Sequence, residues 1–133
     1  MEKVTQEKRF SIVKRAKSFT YAGRGLWIVL KTTHNVWIHL LILALAVTLG
    51  AFYEISHIDW ILLILAATSV LAAEVFNTAI EIDINLTSPE FHPYARDTKD
   101  IAAGAVLLTA IAATIIGILI FAPYVWVHSI AGI

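Results

Sequence analysis

Three apolar runs organise the chain: residues 36–53, residues 60–84 and residues 101–127. Each is long enough, at roughly 20 residues, to cross the hydrocarbon of a bilayer. A chain in lipid must satisfy its backbone internally, so each run predicts a helix. The first ends in a short polar turn, Glu54-Ile55-Ser56-His57-Ile58-Asp59. The N-terminal residues 1–31 read differently. Ile12, Val13, Ala16, Phe19 and Tyr21 recur near helical spacing, while Lys8, Arg9, Lys14, Arg15 and Lys17 supply a basic side. That pattern predicts an amphipathic helix lying on the membrane surface. Gly23 and Gly25 predict a bend before the chain enters the first span. Pro123 is tolerable near the far end of the third run, where Tyr124 and Trp126 suit headgroup depth. The predicted fold class is an all-α membrane protein: one domain over residues 1–133, with three transmembrane helices and an N-terminal surface helix.

Composition agrees. Of 133 residues, 59% are hydrophobic and only 15% charged, which is membrane-protein usage. Without a cysteine there is no disulfide framework and no thiolate metal site. The formal net charge is zero, yet eight of the ten Lys and Arg lie in residues 1–31, and the other two are Arg96 and Lys99. The positive-inside rule then places the N-terminus and the 86–100 segment in the cytoplasm and the C-terminus outside. The basic stretch is too long for a signal peptide, and no cleavable apolar run follows it. Nothing in the pattern points to nucleic acid.

The second run is not purely apolar. Glu74, Asn77 and Glu81 are spaced by three and four residues, so they share one helix face. A carboxylate in a bilayer costs several kcal/mol, and intramembrane ionisable groups mark functional sites. With a rise of about 1.5 Å per residue, Glu74 lies roughly 20 Å from Trp60 and Glu81 roughly 10 Å further, near the inner boundary. Asp83 is about 200° round the helix from Glu81 and falls off the stripe. Lys99-Asp100 stands at the start of the third run. Lys99 also fits a positive-inside anchor, and Asp100 also fits a helix N-cap. His34, His39, His57, His92 and His128 lack metal-ligand spacing and read mostly as interfacial. Asn85-Leu86-Thr87 matches a glycosylation sequon by chance, given its expected cytoplasmic side. A transporter would also use an intramembrane Glu–Asn stripe.

These residues resemble the small prokaryotic integral-membrane lipid kinases, the diacylglycerol and undecaprenol kinases. The similarity rests on EVFNTAIE at 74–81, SPEFHP at 88–93 and TKDIAAGAVLL at 98–108, and extends upstream through FTYAGRGL at 19–26 and NVWIH at 35–39. The segments at 89–93 and 102–106 look more like the undecaprenol branch. The resemblance implies ATP-dependent phosphorylation of a membrane-lipid hydroxyl, with undecaprenol ahead of diacylglycerol. It also implies Mg²⁺ as cofactor, a prokaryotic inner or plasma membrane location, and a homotrimer with sites shared between subunits. By motif position Glu74 matches the catalytic base, Asn77 a supporting residue and Glu81 a Mg²⁺-binding carboxylate. Glu90, His92, Lys99 and Asp100 match nucleotide-contacting positions; Tyr21 and Lys14 match more weakly. The small residues Ala102, Ala103, Gly104, Ala105, Ala112, Ala113 and Gly117 would let helices of neighbouring subunits approach closely.

The sequence departs from the family pattern at three places. Thr33 stands where a second metal-binding glutamate is usual, Asn85 where an aspartate is usual, and Thr98 where an alanine precedes Lys-Asp. Mg²⁺ takes oxygen ligands and keeps several waters, so Glu81 with ATP phosphates can still hold it. A lipid kinase is thus the leading expectation. A small proton- or ion-coupled transporter and a family member of weakened activity stand as alternatives. Lys99-Asp100 and Glu90-Phe91-His92 are features a transporter would not need.

Overall fold

The structure, a computed structural model, describes residues 12–131, without the side chains of Val13, Lys14 and Ala131. Lys8 and Arg9, assigned above to the basic side of the surface helix, lie outside the described residues. Four helices follow one another: α1 Ile12–Thr32, α2 His34–Phe52, α3 His57–Thr87 and α4 Pro93–Ala131. Among the described residues there is no strand. The last three helices are long and apolar enough to cross a membrane. The protein is therefore an all-α membrane protein with three such helices and an additional N-terminal helix.

α1 is continuous through Gly23 and Gly25, which corrects the expected bend. The break falls at Thr33, whose backbone is extended (φ −112°, ψ 115°). Trp37 Nε1 braces this corner by donating to the Leu30 carbonyl at 3.0 Å. Phe19, Tyr21, Leu26 and Trp27 remain exposed along α1, the apolar surface that an interfacial helix offers to lipid.

α3 is the central element. Leu63, Ala66, Val70, Glu74, Asn77 and Thr78 form one buried stripe along it, at the three- and four-residue steps of a helix face. It packs most extensively on α4 and also on α2 and α1. Its N-terminus is fixed by a capping box: Ser56 Oγ accepts from the Asp59 backbone, and the Asp59 side chain accepts from the Ser56 backbone. Tyr124 of α4 joins there, donating to Asp59 Oδ2 at 2.9 Å. Below this clasp Ile55, Leu63 and Ile120 make a buried apolar cluster.

The helices outrun the apolar segments. With 31 residues in α3 and 39 in α4, they measure about 46 and 58 Å against a hydrocarbon core of about 30 Å. α4 starts at Pro93 rather than near 101, since proline is well placed in a first helical turn. The loop between them is accordingly short, residues 88–92, and Asp100 lies inside α4 rather than capping it.

Candidate functional site

The predicted stripe on α3 is real, and its members differ sharply in environment. Glu74 is fully buried, with 0% of its surface exposed. Neither of its carboxylate oxygens has a hydrogen-bond partner. Asn77 is buried too; its Oδ1 is unpartnered, while its Nδ2 donates to Glu81 Oε1 at 3.3 Å. Glu81 is exposed. One end of the stripe is therefore a sealed carboxylate and the other an open one, the latter hydrogen-bonded to Asn77.

Three further residues complete the buried end. Thr78 Oγ1 donates to the Glu74 carbonyl at 2.9 Å. It also lies 2.9 Å from Thr33 Oγ1, so with the Thr78 proton engaged, Thr33 donates to Thr78. Thr33 caps no N–H of α2 with its side chain; its hydroxyl instead ties the α1–α2 corner to α3. From α2, His39 brings Nε2 to 4.0 Å from Glu74 Oε2. His39 also lines an apolar cavity of about 450 Å³ between α2, α3 and α4, walled further by Leu43, Ala66, Val70, Ala113 and Gly117. Glu74 is not among its lining residues.

At the open end Lys99 Nζ donates to Asn85 Oδ1 at 2.6 Å. Asn85 is one turn beyond Glu81, so this contact brings Lys99 of α4 to the α3 surface that carries the exposed carboxylate. Asp100 is exposed on the next position of α4. Glu90 and His92 are exposed in the 88–92 loop, where His92 Nδ1 accepts from the Tyr94 backbone at 3.3 Å. Tyr21 is exposed on α1. No hydrogen bond joins Tyr21, Glu90, His92 or Asp100 to the stripe among the described residues, and the Lys14 side chain lies outside them. Asp83 is exposed and off the stripe, as its spacing predicts.

Sequence reasoning missed His39, Thr33 as a helix tether, and Asn85 as the partner of Lys99. His39 carried a usable signal, a polar side chain within an apolar run, which is the criterion that singled out Glu74. Its partner lies 35 positions away, so no local spacing revealed the pair.

No group of three or more His, Cys, Asp or Glu that could hold a metal occurs among the described residues. The donor set fits Mg²⁺ in its usual enzyme mode, in which one or two carboxylates act together with substrate phosphates and water. Glu81 is the exposed carboxylate suited to this, steadied by Asn77.

The helical bundle thus holds an unpartnered buried carboxylate, an apolar cavity that shares His39 with it, and an exposed carboxylate and lysine beyond. The family model for prokaryotic diacylglycerol kinase matches residues 20–121. The chain is 39% identical over 107 residues to the undecaprenol kinase of Bacillus subtilis (strain 168), covering 80% of this chain and 87% of that protein. It is 38% identical over 101 residues to a diacylglycerol kinase of Synechocystis, covering 75% of this chain and 58% of that one. The diacylglycerol kinase of Escherichia coli (strain K12) is 28% identical over 107 residues, 80% of this chain and 85% of that protein. The chain belongs to the prokaryotic diacylglycerol kinase family and is a lipid kinase.

Proposed function

We propose that this single-domain protein transfers the γ-phosphoryl group of ATP to the hydroxyl of a membrane lipid, undecaprenol in preference to diacylglycerol. The observation that carries the reading is the buried carboxylate of Glu74 with two unpartnered oxygens. A buried acceptor without a donor costs about 1–3 kcal/mol, and a lipid hydroxyl proton would relieve that cost. The preference for a polyprenol is supported by the similarity to the Bacillus undecaprenol kinase.

The chemistry needs positioning, charge neutralisation and a proton acceptor. The lipid oxygen attacks the γ-phosphorus, its bond to phosphorus forms as the bond to the ADP oxygen breaks, and its proton is taken up by Glu74. Asn77 keeps the exposed Glu81 carboxylate oriented through its 3.3 Å hydrogen bond. Mg²⁺ held by Glu81 would neutralise phosphate charge on the nucleotide. Lys99, placed by Asn85, adds a positive charge beside it. Glu90, His92 and Asp100, with Tyr21 and Lys14, supply the remaining contacts to ATP. The basic N-terminal segment and Lys99 set this end at the cytoplasmic face, where ATP is available. The exposed small residues Ala103, Gly104, Ala105 and Ala112 of α4 are the surface for assembly into a homotrimer.

The test is direct. Detergent-solubilised protein is incubated with γ-labelled ATP, Mg²⁺ and either undecaprenol or dioleoylglycerol. Labelled lipid should form with both and faster with the polyprenol. No labelled lipid at any Mg²⁺ concentration would end the kinase assignment of this site, and a faster rate with dioleoylglycerol would reverse the substrate order.

A further inference from the structure

Glu74 and the apolar cavity do not touch. The cavity lies between α2, α3 and α4, and Glu74 is not part of its wall. His39 belongs to both places: it lines the cavity, and its Nε2 stands 4.0 Å from Glu74 Oε2. Its side chain keeps 18% exposure where that of Glu74 keeps none. An alcohol arriving through the cavity therefore meets the imidazole before it meets the carboxylate. α2 fixes this placement through Val36, buried one turn earlier.

We propose that His39 carries the proton from the lipid hydroxyl to Glu74. Resting on the kinase reading above, this adds a catalytic residue to the site. The pair stands at 4.0 Å without a hydrogen bond and closes to hydrogen-bond reach in the reacting complex; a neutral imidazole with its proton on Nε2 leaves the Nδ1 lone pair free to accept. As the lipid oxygen bonds to the γ-phosphorus and ADP departs, the hydroxyl proton passes to Nδ1 and the Nε2 proton passes to Glu74 Oε2. The ring ends neutral in its other tautomer and the carboxyl ends protonated. Loss of that proton to solvent after product release, with return of the ring to its first tautomer, resets the pair. The arrangement follows the general logic of an acceptor oriented by a carboxylate behind it. It gives a use to the unpartnered Oε2 of Glu74, which a purely structural histidine would not need.

The experiment compares wild type with His39→Ala and His39→Gln, using undecaprenol and saturating Mg²⁺·ATP. Positioned proton transfer contributes about 10²–10⁴-fold, so kcat should fall roughly 100-fold or more in both variants. The KM for ATP should hold, because His39 has no part in nucleotide binding. Since the alanine variant opens the cavity wall, added imidazole should restore turnover to His39→Ala. Substituted imidazoles should rescue in order of their basicity, a dependence that restored packing alone would not produce. Helical content and detergent-resistant assembly of both variants establish that they are folded. Wild-type rates in the two variants, or rescue independent of imidazole basicity, would overturn the relay while leaving the kinase reading intact. An inactive wild type would overturn the kinase reading first, and the relay with it.

Discussion

The two ends of α3 handle polar atoms in opposite ways. At the Ser56 end, Ser56 Oγ donates to Asp59 Oδ2 at 2.7 Å and accepts from the Asp59 backbone at 3.2 Å. The Ser56 backbone donates to Asp59 Oδ2 and to the Tyr124 hydroxyl, both at 3.2 Å. Around this network Ile55, Leu63 and Ile120 are closely packed. At the Glu81 end, by contrast, three buried polar atoms of Glu74 and Asn77 have no partner. Native proteins satisfy nearly all buried polar groups, and exceptions concentrate where a ligand or reaction completes them. One end of the helix therefore anchors the bundle and the other holds an incomplete site. The satisfied end helps offset the desolvation cost of the unsatisfied one.

The strongest way to break the comparison is Glu74→Gln. The amide preserves shape and cannot take up the proton. Turnover should fall by about 10³-fold or more, at the upper part of the range for general-base groups. Nucleotide affinity, read by equilibrium binding, should change little. Thermal stability should hold or rise, because a neutral amide is cheaper to bury than a carboxylate. Near-wild-type turnover would place the proton acceptor elsewhere.

Glu81→Gln should act differently although it lies on the same stripe. Its side chain is exposed, so under the proposed mechanism the loss is of a charge facing the nucleotide rather than of a buried base. The apparent Mg²⁺ affinity should weaken by about tenfold, the scale of one lost charge-assisted contact of about 1.4 kcal/mol. Excess Mg²⁺ should recover much of the rate. A rate that stays low at every Mg²⁺ concentration would assign Glu81 a role in the chemical step instead.

Much of this division was legible in the amino-acid sequence. The three apolar runs were visible because lipid enforces helices, and the Glu74–Asn77–Glu81 stripe because side-chain spacing fixes a face. Helix ends were less legible. Hydropathy reports where lipid stops, whereas α3 and α4 continue into polar sequence because their backbone bonds persist there. That is why Lys99 and Asp100 lie inside a helix. Gly23 and Gly25 suggested a bend, yet a side chain at either would meet no atom within 4 Å of its Cβ, and the helix runs through both. His39 and Thr33 escaped for another reason: their partners are remote in sequence, and only the packing of α2 on α3 brings them to Glu74 and Thr78.

Gly50→Ala tests the anchoring end. A Cβ at Gly50 would lie 2.9 Å from Trp60 Cη2 and 3.0 Å from Ile55 Cδ1. The indole is rigid and Ile55 is buried, so neither can yield cheaply. Overpacking of this kind costs about 1–3 kcal/mol. The variant should unfold at lower temperature or denaturant while the kcat of its folded fraction stays near wild type. A selective loss of kcat without loss of stability would show that the two ends are coupled more tightly than their hydrogen bonding indicates.

The smallest effect, and the one that best sharpens the comparison, belongs to Thr33→Glu. The Thr33 hydroxyl is committed to Thr78, which in turn donates to the Glu74 backbone. Position 33 thus already sits against the buried part of the stripe, one helical turn from the Glu81 position. Its threonine adds a tether but no negative charge for a cation. A glutamate there would exchange the tether for a second carboxylate, and the longer side chain can extend past Thr78 toward Glu81. The apparent Mg²⁺ affinity should tighten a few-fold, less than the roughly tenfold change of a contact already in place, because the Thr33–Thr78 bridge is lost and the new carboxylate lacks partners of its own. Thr33→Val separates the two contributions, since it removes the bridge without adding charge and should leave the Mg²⁺ dependence unchanged. Initial rates titrated against Mg²⁺ for wild type and both variants decide the matter. A Mg²⁺ dependence in Thr33→Glu equal to or weaker than wild type would mean that position 33 serves the packing of the α1–α2 corner and has no access to the metal.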